Sequence, residues 1–269
     1  MKEKEIRLLP HAGLCNRLRA ISSAVFLAKK LNRPLTIYWQ NNDECASDFC
    51  DLFDPINIDI PIDVIEYKGL KYSIARKKNL YYPKLLRIFS VDKEILNFNC
   101  KEDGDIIHLI SSDGITFIQT CHSITQHYDF QALFKPISSI MNAINSVTAL
   151  YSDNTIGLHI RRTDNVQAIA HNDISSFENC INRELEADSS TKFYLATDDM
   201  HVKDYLINKY GTAILTFDIP LNRNTVEGMR GAVVDLWCLS KTKRIIGSFY
   251  SSYSEVASFI GKIDLEIVE

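Results

Sequence analysis

The sequence contains no apolar stretch near the ~18 residues that a membrane-spanning helix requires. A transmembrane segment is therefore not expected, and any membrane association would be peripheral. It has no CxxC pair and no zinc-ligand spacing. Its seven cysteines (Cys15, Cys45, Cys50, Cys100, Cys121, Cys180, Cys238) are odd in number and scattered, which fits a reducing, cytoplasmic setting rather than a disulfide or metal framework. Cys180 and Cys238 fall inside apolar helical patterns, where a thiol serves as a small hydrophobe. No secretory leader is expected, because the charged start runs directly into an apolar, strand-like segment. There is no excess of positive charge: 30 Lys and Arg face 34 Asp and Glu, a net charge of −4. No global field draws nucleic acid or acidic lipid, and the run Arg76-Lys77-Lys78 reads as a solvated face. Repeats and low-complexity stretches are absent. So are the GxGxxG and P-loop signatures, which removes the two commonest phosphate-binding fingerprints.

The composition is globular, 46% hydrophobic and 24% charged over 269 residues. That length suits one large domain or two halves of roughly 130 residues, each able to bury a core. From residue 151 onward strands and helices alternate. Strands are expected at 155–160, 192–196, 213–217, 244–247 and 264–268, and helices at 175–187, 201–210, 225–239 and 254–261. The helix at 225–239 carries Val226, Met229, Val233, Leu236 and Leu239 at helical spacing. Short continuous apolar strands separated by such helices indicate a parallel sheet covered on both faces. Residues 1–150 begin the same way, with a strand at 5–9, a helix at 16–31 and a strand at 34–39. Pro55, Pro61 and Pro83 and several short apolar runs suggest an irregular stretch with small elements from 41 to 101. Strands at 105–111 and 115–121 and a helix at 137–150 complete this half. The expectation is α/β, with two Rossmann-like domains, 1–150 and 151–269, facing a cleft.

Open parallel sheets bind ligands at the carboxyl ends of their strands, and five segments sit there. Pro10 to Arg17 links the first strand to the first helix. Gly13 allows a tight turn and close ligand approach, and Asn16 lies near the helix start, either over a phosphate or as part of an ordinary turn. His159-Ile160-Arg161-Arg162-Thr163-Asp164 ends the strand at 155–160 and runs beyond it. Guanidinium forks suit phosphate oxygens, and the alternative is an Arg–Asp pair beside a solvated arginine. Asp198 and Asp199 could bind a metal, cap the next helix or pair with arginine. Asp235 lies between apolar neighbours and needs donors. Guanine's ring N–H and amine would supply two, and Arg230 or Arg244 is the structural alternative. Gly247 to Ser254 opens a helix, with Ser251 and Ser252 as a phosphate cradle or a plain cap.

In order, these segments resemble the fucosyltransferase superfamily of α1,2-, α1,6-, protein O- and nodulation fucosyltransferases. His159–Asp164 is similar to its His-x-Arg-Arg-x-Asp signature, Ala196–Asp199 to an Ala-Thr-Asp-Asp segment of the α1,6 enzymes, and Asp235–Ser240 with Ser251-Ser252 to their Asp-x-x-x-Leu-Ser helix and Ser-Ser turn. Gly13–Arg19 resembles the amino-terminal loop, with Cys15 where a second glycine is usual. The resemblance implies a GT-B type glycosyltransferase that inverts at fucose, uses GDP-fucose and needs no metal. It gives Arg161 the β-phosphate and the charge on departing GDP. His159 and Asp235 take guanine, Ser251 and Ser252 phosphate. Arg162, Asp164, Asp198 and Asp199 support the site, and Asn16 and Gly13 lie over the donor. The acceptor would be a glycan or lipid-linked oligosaccharide of a bacterial surface polysaccharide. Ile169 stands where the α1,6 enzymes carry an acid, and Asn165 where they carry lysine. No general base is therefore named, and His171, Asp173 and Glu178 are candidates by location alone. A transferase for another nucleotide sugar and a non-catalytic GDP-sugar or glycan-binding module are the alternatives.

Overall fold

A computed structural model describes residues 4–67, 91–99, 106–110, 114–162, 173–218 and 222–268. The chain divides into two compact units, Met1–Ile137 with Arg223–Met229, and Ser138–Asn222 with Arg230–Glu269. The run Arg76-Lys77-Lys78 lies outside the described residues.

In the first unit, strands β1 (Glu5–Pro10), β2 (Leu35–Gln40), β3 (Ile62–Tyr67), β4 (Lys93–Leu96) and β5 (Ile115–Thr120) form one parallel sheet in the order β3-β2-β1-β5-β4. Helix α1 (Leu14–Leu31) comes after β1 and buries Leu14, Leu18, Ile21 and Val25 at helical spacing. It ends at Asn32 in the left-handed region, whose N–H bonds back to the last turn. Two buried serines of α1 accept from the chain beyond β5: Ser23 Oγ from the Ile124 N–H and Ser22 Oγ from the Asp129 N–H. The short α2 (Phe130–Leu133) is the last element of this unit's amino-terminal stretch, and Phe134 after it packs on Phe53 and Phe49.

The second unit opens with α3 (Ser138–Thr148). Its strands β6 (Thr155–Ile160), β7 (Lys192–Thr197), β8 (Ile214–Leu215), β9 (Ile245–Ser248) and β10 (Leu265–Val268) are all parallel, in the order β10-β9-β6-β7-β8. Helices α4 (Ile174–Ala187) and α5 (Met200–Tyr210) cover one face, where Phe177, Ile181, Val202 and Leu206 meet Ile156, Leu158, Phe193 and Leu195. The other face takes α6 (Val226–Ser240) and α7 (Ser252–Gly261), with Leu239 packed over Gly157. Cover on both faces explains why these strands read as unbroken apolar runs.

Two expectations change. Of the strand expected at 105–111, the described residues 106–110 form a 3-10 turn at Ile107–Leu109 instead. The strand expected at 213–217 is two residues long. The stretch from 41 to 101 supplies two short strands, β3 and β4, as its small elements.

In both sheets the first strand of the unit is central and chain direction across the sheet reverses beside it, between β1 and β5 and between β6 and β9. Such a switch point leaves a crevice at the carboxyl ends of the strands, because the two connections leave in opposite directions.

Candidate functional site

The crevice of the second unit is bounded by the residues at and just beyond the ends of β6 and β9. Ser248, the last residue of β9, is fully buried. Its Oγ accepts the Arg161 N–H at 2.9 Å and donates to the His159 carbonyl at 3.2 Å. Beyond the last paired residues, His159 and Gly247, this hydroxyl keeps the two strand ends together. On the other side, Asp198 after β7 accepts the Arg162 N–H at 2.8 Å. Successive arginines are thus held by their backbones from opposite neighbours, so the roots of both guanidinium groups are fixed before any ligand arrives.

Asp199 has a different task. It caps α5, accepting from the His201 and Val202 N–H groups at 2.9 and 3.4 Å, and its other oxygen lies 4.0 Å from Arg162 Nε. Of the readings open for this acid pair, helix capping and arginine pairing are the ones present. Among the described residues, no three of His, Cys, Asp or Glu converge on a point where a metal ion could be held.

His159 is buried in β6. Its Nδ1 is 2.7 Å from Ser254 Oγ, and its ring stacks on Tyr253 at 4.8 Å between centroids. Burial, and then the Arg161 charge, push its pKa down to about 3, so the ring is neutral. Gly247 makes this contact sterically feasible: a Cβ there would lie 2.6 Å from Ser254 Oγ. Tyr253 also donates its hydroxyl to the Ala232 carbonyl of α6. One turn further along α6 is Asp235.

The donor that Asp235 uses is neither Arg230 nor Arg244 but Tyr194 of β7, whose hydroxyl makes a short hydrogen bond to Oδ1. Arg244 is engaged with Glu184 and Glu266. Desolvation raises the Asp235 pKa to about 7, opposed by the Tyr194 bond and the charge of buried Lys203. Lys203 is itself held by the Phe217 carbonyl at 2.9 Å. Asp235 is thus poised between its two protonation states near neutrality.

Ser251 caps α7, accepting the Tyr253 N–H at 3.3 Å, and Ser252 is the first helical residue. The cap exists, and the first-turn N–H groups of α7 stand where β9 ends, as the cradle reading requires. Asp164 lies outside the described residues, together with Asn165, Ile169 and His171. Two other base candidates are engaged elsewhere. Asp173 caps α4, and Glu178 binds Lys209 and Tyr205, each at 2.6 Å.

In the first unit, the turn after β1 is built differently from expectation. Gly13 is the N-cap of α1 in an extended conformation, and the left-handed residue is Ala12, with φ 66°. A Cβ on Gly13 would meet nothing within 4 Å, so the glycine faces open space. Asn16 sits at the third helical position and accepts from Arg19. The residue that organises the turn is Arg17, which is completely buried. Its guanidinium donates to the Ala12 carbonyl at 2.7 Å, to the Gln40 carbonyl at 2.5 Å and to Asn42 Oδ1 at 2.8 Å, and lies 5.0 Å from the Trp39 ring centre. Beside it, His11 is buried and held neutral, its pKa lowered to about 4 by desolvation and then by Arg17.

Motif reading gave Arg17 and Ser248 no role, although both lie in segments it singled out, and it missed Tyr194. Arg17 carried a usable signal, since it falls on the buried stripe of α1 between Leu14 and Leu18. Tyr194 carried none, being 41 positions from Asp235.

No family model and no curated protein matches the sequence. Solved structures do match it in fold. The NodZ α-1,6-fucosyltransferase soaked with GDP-fucose superposes with a TM-score of 0.64 at 16% identity, over 96% of this chain and 93% of that one. Fucosyltransferase NodZ from Bradyrhizobium is also matched at a TM-score of 0.63. A variant of Arabidopsis thaliana FUT1 in complex with GDP matches at 0.64 and 14% identity, over 99% of this chain and 70% of that one. POFUT1 in complex with GDP matches at 0.58 and 10% identity, over 100% and 99%. The chain therefore shares their fold, the two-sheet α/β fold expected of a GT-B type protein.

Proposed function

We propose that this chain is an inverting fucosyltransferase that takes GDP-fucose as donor and a glycan as acceptor. The observation that carries this reading is the β6–β9 switch point. There Arg161 is fixed by Ser248, neutral His159 is fixed by Ser254, and the α7 N-terminus stands at the strand end. The fold likeness to structures solved with GDP and GDP-fucose supports it.

The chemistry rests on that arrangement. An acceptor hydroxyl forms a bond to the anomeric carbon of fucose, while the bond from that carbon to the β-phosphate oxygen breaks. The electron pair leaves with GDP, and the acceptor proton goes to a base or to solvent. Negative charge grows on the β-phosphate. The Arg161 guanidinium and the α7 N–H groups stabilise it where it develops, without reorganising. This work needs no metal ion. Asp235 in its ionised form would accept the ring N–H and amine of guanine, a donor pair that uracil and adenine do not present, while His159 contributes a neutral ring nitrogen.

Donor binding belongs, in this reading, to residues 151–269 and the acceptor side to residues 1–150. The acceptor is a glycan or lipid-linked oligosaccharide of a bacterial surface polysaccharide, reached from the cytoplasm. Calorimetric titration with GDP, UDP and ADP, without metal and then with magnesium, tests the donor assignment. Selective metal-free binding of GDP is expected. Preference for another base, or binding only with magnesium, would overturn it and return Asp198 and Asp199 to consideration as metal ligands.

A further inference from the structure

Tyr250 lies between the end of β9 and the Ser251 cap, and two observations set it apart. Its backbone is in the left-handed region, with φ 57°. For a residue with a bulky side chain this conformation is strained, and glycine or asparagine would adopt it more readily. The residue is also 72% exposed, more than any other large hydrophobic residue described. The turn thus carries backbone strain at a residue that stays largely in solvent and gains little from burial. The position explains why the ring is kept. Ser248, two residues earlier, fixes Arg161, and Ser251, the next residue, opens the helix whose N–H groups would face phosphate. The neighbouring Phe249 ring, 6.0 Å away between centroids, restricts the orientations open to Tyr250.

We infer that the Tyr250 ring is a stacking platform for the pyranose of the nucleotide sugar, and so a specificity residue at the sugar end of the donor site. This rests on the fucosyltransferase reading above. The sugar is attached directly to the β-phosphate, and Tyr250 directly precedes the residues assigned to phosphate. A 6-deoxyhexose offers a face of C–H bonds and a methyl group. An aromatic face covers such a surface well, and a charged or amide side chain does not. Nearer the nucleobase end, the groups described are polar: His159, Asp235 and Tyr194.

The test titrates GDP and GDP-fucose into the full chain without acceptor, comparing the wild type with Tyr250→Ala, Tyr250→Phe and Tyr250→Gly, and records thermal unfolding of each. For Ala and Gly, GDP-fucose affinity should fall about three- to tenfold while GDP affinity is unchanged. Phe should behave as wild type. Gly, freed of the left-handed strain, should unfold at an equal or higher temperature than wild type. Equal weakening of both ligands would overturn the inference, by placing the ring on the nucleotide. Unchanged affinity for both would overturn it too. A wild-type protein that binds neither ligand would instead refute the fucosyltransferase reading beneath it.

Discussion

The protonation of Asp235 should set the nucleotide preference of this protein as a function of pH. Its folded pKa of about 7 arises from burial. If only the carboxylate can accept both guanine donors, binding tracks the ionised fraction. That fraction rises from roughly 3% near pH 5.5 to roughly 90% near pH 8, so the association constant for GDP should rise about thirtyfold. The diphosphate of any nucleotide also titrates in this window, so the quantity to measure is the GDP-to-UDP affinity ratio, in which that contribution cancels. His159, with its pKa near 3, stays neutral throughout, and Tyr194, raised well above its usual value, keeps its proton. Stability should move the other way. The folded pKa lies above the unfolded value, so the folded state holds the extra proton between about pH 4 and 7, and the stabilisation is lost as pH rises through the folded pKa. Calorimetry at constant ionic strength from about pH 5.5 to 8, on the wild type and Asp235→Asn, reads the ratio directly. The variant should show a low, flat ratio. A flat ratio in the wild type, or a pH dependence that survives in Asp235→Asn, would refute the reasoning.

Arg161→Ala should lower the transfer rate by about a hundredfold or more, as loss of a transition-state donor does, with an unchanged circular dichroism spectrum; near-normal turnover would remove its assigned role. Arg17→Met should lower stability by about 3 kcal/mol or more, read from the urea midpoint, because two buried acceptors and one half-buried acceptor lose their donor at once. Gly247→Ala should cost about 1–3 kcal/mol by forcing Ser254 aside. Thermal unfolding should show partial recovery in Gly247→Ala/Ser254→Gly, and strict additivity would mean the two positions do not interact.

The second sheet was legible because burial on both faces leaves unbroken apolar runs, and the helices between them repeat at helical spacing. Residues 105–111 misled because Ile106, Ile107, Leu109 and Ile110 form a short apolar run, and such a run does not distinguish strand from helical turn. Strand β3 was hidden for the opposite reason. Ile62–Tyr67 mixes Asp63 and Glu66 among apolar residues without a strict period of two, and prolines at 55 and 61 suggested only small elements in an irregular stretch. At the candidate site, positions near strand ends could be read from local order, but partners could not. The cap role of Asp199 was readable because a cap is a local event. The bonds from Ser248 to Arg161, from Ser254 to His159 and from Tyr194 to Asp235 join positions 87, 95 and 41 residues apart, and no local pattern encodes them.

Helix α6 has a consequence for how the chain comes together. Its first turn, with Arg223–Met229, packs in the amino-terminal unit, while its remainder belongs to the carboxyl-terminal one. Neither unit is a single uninterrupted piece of polypeptide. During synthesis the amino-terminal unit cannot be completed when its sheet has left the ribosome. It waits for residue 229, by which time most of the other unit has already emerged. The amino-terminal unit is therefore completed only after most of the other has been made, and a cut near residue 137 or 150 would deprive the leading fragment of residues 223–229.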